Sequence, residues 1–354
     1  AAELSMLGAW AALWAASVGV MQLSPFGTVR MTYTDAYATV DRQAEYFGLL
    51  TAERLELGRL NSDGVQFDSN GMDLTAGDTS TTADERNIMT QIDFDKLAAA
   101  APNDMIGALN SHLSSLAGTN KNEYTGKFAG YNLITITAEA FSPYLVDPER
   151  TPTLYRLSHE GFVFKNFYNS FPSLTTNGEY SFCMGLMPDM TRLSFATSVN
   201  NYLPFCTGRV FRDQAGINTR AYHNNIGTFY NRINTHTNMG FDFKAINFGL
   251  DVERQTPSSD LEMMQKTVDE YINDPQFIVH YMSYSGHADY NFTENSMSIK
   301  NRSRVENLDC SEELKAYYAC QLELEDALTY LVDRLEQAGV ADRTVIVISG
   351  DHYP

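Results

Sequence analysis

From Tyr131 to the end of the chain, short β-branched runs alternate with stretches of helical periodicity. No other feature restricts the fold as much. "YNLITIT" (Tyr131–Thr137) is a β-branched run of strand length that leads into Glu139. "PTLYRLSHEG" reads as a helix closed by Gly161, and "FVFKNFY" as a second strand. Further strands are predicted at Thr219–His223, Phe277–Tyr284 ("FIVHYMSY") and Thr344–Ser349 ("TVIVIS"). A long amphipathic helix, Glu312–Ala338, falls between the last two. This alternation predicts an α/β domain with a mostly parallel sheet and helices on both faces.

The part before Tyr131 has a different character. Leu4–Leu23 is 20 residues without a charge, enough to cross a bilayer as a helix, with a buried amphipathic helix as the alternative. Thr34 to about Leu60 follows a helical pattern. Asn61–Asn87 is rich in Asp, Ser, Thr and Gly and reads as a flexible linker. Two short helices are expected around Phe94–Ala101 and Met105–Leu116. The expected organisation is a transmembrane helix at 1–24, a membrane-proximal helical segment and linker at 25–126, and the α/β domain at 127–354. Ala1 at one end and Pro354 just after "VISGDHY" at the other suggest a fragment, cut within its last domain.

A formal charge of −19 argues against a broad nucleic-acid surface, which needs clustered Lys and Arg. Cys183, Cys206, Cys310 and Cys320 show no C-x-x-C pair and no zinc-finger spacing. They suit either two disulfides in an exported domain or buried free thiols.

In open parallel sheets the ligand site lies outside the carboxyl ends of the strands. Glu139 falls just past the first predicted strand, and Asp351-His352 just past the last. "SLTTNGEYSF" (Ser173–Phe182) puts two threonines where a helix begins, which suits capping and also presents a hydroxyl. Two carboxylates, an imidazole and a hydroxyl together would suit Mg²⁺, Mn²⁺ or Zn²⁺. Singly, each signal reads more simply as a solvated loop residue, a plain turn or a capped helix start.

"ITAE", "TTNGEYSF", "AYHNNIGTFYNR", "YSGH" and "ISGDHYP" occur in that order. The set resembles the lipoteichoic acid synthase family of the alkaline phosphatase and sulfatase superfamily, from about Lys127 onward. The resemblance implies an alkaline-phosphatase-like three-layer sandwich. It also implies that Glu139, Thr175, Asp351 and His352 hold one divalent cation, Mn²⁺ or Mg²⁺ with Zn²⁺ as the alternative. Thr175 takes the nucleophile's place in the family's Thr-Ser/Thr-Asp/Asn-x-Glu pattern, and Thr176 does if the alignment slips by one. The basic residue that often precedes that threonine is here Leu174.

By the same resemblance, Arg232 matches a phosphate-gripping residue and Tyr230 an aromatic that stacks near a glycerol moiety. His287 matches a substrate-pocket histidine that hydrogen-bonds the head group or moves a proton. Each has a plainer reading: an ion-pair half for Arg232, a core ring for Tyr230. His223 and Asn224 shape the pocket or simply end a strand, and His112, His159, His236 and His280 are assigned structural or solvated roles.

The implied function is that of a membrane-anchored phosphotransferase with its catalytic domain outside the cell. It would move glycerol phosphate from phosphatidylglycerol to a glycolipid or polyglycerophosphate acceptor through a threonine-linked intermediate. The enzyme rivals are a phosphoethanolamine transferase and a phosphodiesterase or sulfatase-type hydrolase. A formylglycine sulfatase needs C-x-P-x-R, whereas Cys183 is followed by "MGLMPDM". A scaffold that keeps the fold without turnover is the rival from another class.

Overall fold

The computed structural model describes residues 86–87, 92–168, 175–189 and 193–354, all within the compact unit Ser80–Pro354. The expected membrane span Leu4–Leu23, the helical stretch from Thr34 and most of the linker lie outside the described residues. Among the described residues, no helix is long and apolar enough to cross a membrane.

Six strands form one sheet: β1 (Asn132–Ala138), β2 (Thr219–Ile226), β3 (Asp242–Ile246), β4 (Gly249–Leu250), β5 (Ile278–Met282) and β6 (Thr344–Gly350). Their order is β4-β3-β2-β5-β1-β6, and every pairing is parallel. The helices that matter below are α1 (Phe94–Ala99), α2 (Asp104–Ser115), α3 (Pro152–Glu160), α4 (Thr175–Met184), α5 (Ser194–Ser198), α6 (Arg232–Asn238), α7 (Asp260–Thr267), α8 (Ser296–Asn301) and α9 (Glu312–Gln337).

Successive side chains on a strand point to opposite faces, so each buried strand feeds two cores. On β2, Ala221 faces Phe195, Met239, Phe241 and Phe243, while Tyr222 faces the opposite way. Tyr222 joins Ile134, Ile136, Val279 and Tyr281 from the sheet, Met263 and Met264 from α7, and Leu324, Leu328 and Leu331 from α9. The result is the expected three-layer α/β sandwich. The tyrosine hydroxyls inside it are paired, as buried donors must be. Tyr281 shares hydrogen bonds with Thr267 (2.8 Å) and Tyr271 (3.0 Å), and Tyr222 donates to Glu270 (2.9 Å).

Helix α9 is fixed at both ends by ordinary chemistry. Ser311 caps it by accepting from the Leu314 N–H, and Arg334 lies in its last turn, where a cation suits the helix dipole. Its buried Glu325 reaches the start of α3 and accepts from the Thr153 and Leu154 N–H groups at 2.7 and 3.0 Å. A carboxylate there meets two otherwise unpaired donors of a helix N-terminus.

Two differences from the sequence reading stand out. Strands β3 and β4 were not foreseen; they extend the sheet beyond β2. Conversely, Phe162–Tyr168 forms no strand. Phe162, Val163, Phe164, Phe167 and Tyr168 are exposed. β-propensity alone, with no partner strand to pair and no face to bury, does not hold an extended segment in a sheet. The four cysteines are free thiols, with Cys206 and Cys320 buried, so the disulfide alternative is not realised.

One buried carboxyl ties three elements together. Asp260, at the start of α7, accepts from Asn224 Nδ2 (2.8 Å) at the end of β2 and from the Tyr284 N–H (2.9 Å) just past β5. It also accepts from the Ser285 N–H and hydroxyl. Burial pushes its carboxyl from 3.8 up to about 6, against those hydrogen bonds. Between these values the unfolded chain has lost the proton that the folded protein keeps, so Asp260 contributes stability that is lost as pH rises through this window. Asp260→Asn can keep the same contacts, because the Ser285 hydroxyl can accept as well as donate. We predict that its stability relative to wild type rises by about 1.4 kcal/mol per pH unit across the window, measured by urea unfolding. A constant difference would contradict this.

Candidate active site

Strand register explains how two acids far apart in the chain meet. β1 pairs β6 with Ala138 opposite Gly350, an offset of 350 − 138 = 212 residues. One step further along the same register, Glu139 lies beside Asp351. Both leave carboxyl ends of neighbouring parallel strands, where the topology leaves space for a ligand.

The backbone there is held against strain. Ala140 takes φ 51°, a left-handed conformation uncommon for a residue with a Cβ. Its N–H donates to Asp351 Oδ1 (2.8 Å), and its carbonyl accepts from the Tyr317 hydroxyl (2.8 Å) and, more weakly, from Gln321 Nε2 (3.4 Å). The Gln321 amide also reaches the Glu139 carbonyl at 3.0 Å, and Ser283 Oγ accepts from the Glu139 N–H at 2.8 Å. Such surrounding bonds are what allow a strained residue to persist at a site.

Four side chains converge. Thr175 Oγ1 lies 3.3 Å from Glu139 Oε2 and 3.2 Å from His352 Nε2. His352 Nε2 lies 3.1 Å from Glu139 Oε1 and 3.4 Å from Asp351 Oδ2. Asp351 Oδ1 is already used by the Ala140 and His352 N–H groups, whereas Asp351 Oδ2 is buried without a hydrogen bond. His352 Nδ1 donates to the Tyr353 carbonyl (2.7 Å), since a carbonyl can only accept. In the neutral ring, that leaves the Nε2 lone pair facing the two carboxylates. Two acids, a lone pair and a hydroxyl with one orphaned carboxylate oxygen fit a divalent cation.

Electrostatics agree with this fit. Burial, then the charge of Glu139, raises the Asp351 carboxyl above its usual range. Burial opposes charge on His352, but the hydrogen bond to Glu139 and the two carboxylate charges outweigh it and raise its pKa. The cluster therefore favours added positive charge, whether as protons or as a metal ion.

Helix α4 brings Thr175 to this corner. Thr175 stands at the start of its first turn, while the buried Thr176 hydroxyl makes no hydrogen bond. Of the two candidate nucleophiles, Thr175 is the one beside the acids. Gly178 makes the approach possible: a Cβ there would sit 1.9 Å from the Asp351 carbonyl oxygen and 2.6 Å from its Cα. Gly286 does similar work under the other side, where a Cβ would meet the Glu139 carbonyl at 2.2 Å. Neither glycine was singled out from sequence.

A second buried group lies one helical turn along α4. Glu179 Oε2 accepts from Arg232 Nε (3.0 Å), and Glu179 Oε1 lies 2.9 Å from His236 Nε2 and 3.7 Å from His280 Nε2. Burial alone would raise the Glu179 carboxyl, but Arg232 and His236 hold it well below the usual range. Arg232 is buried, with Nη1 3.3 Å from His223 Nε2 and its guanidinium carbon 5.3 Å from the centre of the Tyr230 ring. Tyr230 and Asn231 both take left-handed backbone, at φ 52° and 60°, just before α6 starts at Arg232. His236 and His280, assigned structural or solvated roles from sequence, are buried parts of this group, while His112 and His159 are exposed. The spacing Thr175 to Glu179, four residues on one helix face, is the signal that could have revealed it.

Two of the expected pocket residues lie outside the Thr175 cluster. Asn224 is fully buried and spends its amide on Asp260 and the Ser258 carbonyl, a structural tie. His287 Nδ1 bonds the Ala288 carbonyl (2.6 Å), and its ring meets Tyr284 edge-on at 5.2 Å rather than joining the Thr175 cluster. Tyr284 in turn meets the His223 ring at 6.1 Å. Among the described residues, two groups place three metal-ligating atoms close together: Glu139–Asp351–His352 and Glu179–His236–His280. The second already has Arg232 on its carboxylate, so its charge is compensated.

The family described as Sulfatase matches residues 132–354. The chain belongs to the sulfatase family. Among curated relatives of this sulfatase-family chain, lipoteichoic acid synthase 1 of Bacillus subtilis (strain 168) is 25% identical over 270 residues, covering 72% of this chain and 41% of that protein. The lipoteichoic acid synthase of Staphylococcus saprophyticus is 25% identical over 274 residues, with the same coverage of 72% and 41%. The chain thus spans 41% of the length of these relatives. Among solved structures, the lipoteichoic acid synthase LtaP from Listeria monocytogenes aligns with TM-score 0.56 at 24% identity, over 66% of this chain and 58% of that one. A Vibrio parahaemolyticus protein of the alkaline phosphatase superfamily aligns with TM-score 0.50 at 19% identity, over 63% and 54%. These structures share the fold.

Gly178→Ala should raise helix propensity yet push α4 off the Asp351 backbone. We predict Mn²⁺ affinity lowered by about tenfold or more, read by calorimetric titration. Wild-type affinity in that variant would show that α4 does not need this close approach.

Proposed function

We propose that the chain carries a divalent-metal-dependent phosphotransferase that moves glycerol phosphate from phosphatidylglycerol to a glycolipid or polyglycerophosphate acceptor. The observation that supports it most is the meeting of Thr175 Oγ1 with Glu139, Asp351 and His352 at the ends of β1 and β6. The curated relatives named lipoteichoic acid synthase support the choice of substrate class.

The proposed site residues are Glu139, Thr175, Asp351 and His352 for the cation, and Arg232, Tyr230 and His287 for the substrate. A bound cation, Mn²⁺ or Mg²⁺, would lower the pKa of the Thr175 hydroxyl as it does that of water. The Thr175 hydroxyl would lose its proton to solvent, and Oγ1 attacks phosphorus: its bond to phosphorus forms as the bond to the diacylglycerol oxygen breaks, and that oxygen leaves with a proton. His287 is the candidate for supplying it. A hydroxyl of the acceptor, giving its proton back to His287, next attacks the glycerophosphoryl-threonine, and its bond to phosphorus forms as that to Thr175 Oγ1 breaks. Charge on the phosphoryl oxygens is offset by Arg232 and by N–H groups of the first turn of α4.

A lipid donor gives a reason for the apolar Leu4–Leu23 stretch, which would anchor the domain outside the cell membrane; the division at residues 24 and 126 belongs to the same proposal. The test uses vesicles containing labelled phosphatidylglycerol, Mn²⁺ and a glycerol-ended acceptor. Expected are diacylglycerol release, a glycerophosphoryl adduct on Thr175 by mass spectrometry, and label in the acceptor. Thr175→Ala should cut turnover by about 10³-fold or more. Label passing only to water would defeat the transferase reading, and preference for phosphatidylethanolamine would defeat the head-group reading.

A further inference from the structure

The nucleophile and the phosphate grip are joined by one buried side chain. Glu179 is four residues after Thr175 on α4, so both project from one face of a rigid helix. Its carboxylate is fully buried and receives Arg232 Nε at 3.0 Å, with His236 Nε2 at 2.9 Å on the other oxygen. His223 completes the hold. Its Nδ1 donates to the Met282 carbonyl at 3.0 Å, which fixes the tautomer and leaves Nε2 to accept from Arg232 Nη1 at 3.3 Å. Burial and the nearby Arg232 charge keep that imidazole neutral. The Tyr230 ring lies against the guanidinium.

This hold is incomplete in one telling respect. Arg232 Nη2 is buried, lies 3.0 Å from Glu179 Oε2 off the hydrogen-bond direction, and makes no hydrogen bond. Buried guanidinium donors are rarely left so, and an anion is the natural acceptor for them. We propose that Glu179 is a positioning residue for phosphoryl transfer: with His223 and His236 it fixes the Arg232 guanidinium so that Nη2 remains available to a phosphate oxygen at Thr175. This rests on the reading of Arg232 as the phosphate grip. Because α4 carries both Thr175 and Glu179, a shift of that helix moves nucleophile and grip together.

The test compares wild type, Glu179→Gln, Arg232→Lys and the double variant of the full chain. Arginine-labelled protein reports exchange of the Arg232 Nε–H by NMR, and calorimetry reports affinity for Mn²⁺ and for glycerol 3-phosphate with Mn²⁺ present. Expected for Glu179→Gln are faster Nε–H exchange, glycerol 3-phosphate affinity lowered by about tenfold or more, and unchanged Mn²⁺ affinity. A merely structural loss would lower both affinities. The double variant should bind glycerol 3-phosphate no more weakly than Arg232→Lys alone, because Glu179 acts through Arg232. Additive losses, or wild-type exchange and affinity in Glu179→Gln, would overturn the proposal. If wild type itself binds no glycerol 3-phosphate, the phosphotransferase reading fails, and unchanged exchange would separately refute the hold on Arg232. Should Glu179→Gln not fold, Glu179→Asp, which keeps the charge but withdraws it by a methylene, takes its place with the same readouts.

Discussion

The parallel pairing of β1 with β6 is the constraint on which the site depends. Its register sets Glu139 beside Asp351, and no local feature of either segment could do so. The pair is costly by itself: two buried carboxylates repel, and burial already disfavours their charge. The fold accepts that cost by fixing each acid from behind. Ala140, Ser283, Gln321 and the His352 N–H hold the backbone and one side of Asp351, which leaves Asp351 Oδ2 and both Glu139 oxygens turned toward Thr175 and His352. A fold that invests hydrogen bonds in keeping acids together at a strand end suits a cation better than it suits stability.

The neighbouring Glu179 group solves the same electrostatic problem in the opposite way. Its carboxylate has a cation built in, Arg232, and two imidazoles close by. One group therefore lacks positive charge and the other carries its own, and they sit a helical turn apart on α4. Gly178, between Thr175 and Glu179 in the sequence, is where the helix must touch the Asp351 backbone to keep that spacing.

Much of this was legible in the sequence, for identifiable reasons. Strands such as "YNLITIT" and "TVIVIS" are β-branched runs, the first largely buried in the parallel sheet and the second half-buried at its edge, and the acids that follow them are placed by topology alone. "DFKAI" of β3 was missed because two charged or polar positions in five residues give a weak pattern that only pairing with β2 makes a strand. "FVFKNFY" failed in the reverse sense, having propensity without a partner. The Glu179 network was hidden because histidines 236 and 280 lie on different elements, α6 and β5, and only packing against α4 brings them to one carboxylate. His287 illustrates the same limit: its ring lies against Tyr284, whose N–H is tied to Asp260, and a short pattern such as "YSGH" does not encode that packing.

The central claim is that the Glu139, Thr175, Asp351 and His352 side chains share one cation while the Glu179 group takes none. Anomalous X-ray diffraction from Mn²⁺-soaked crystals tests it most directly. A single strong peak within bonding distance of Glu139, Asp351, His352 and Thr175 Oγ1 is the expected result. A peak between Glu179, His236 and His280, or a Mn²⁺ ion that leaves Thr175 Oγ1 outside its coordination, would contradict it.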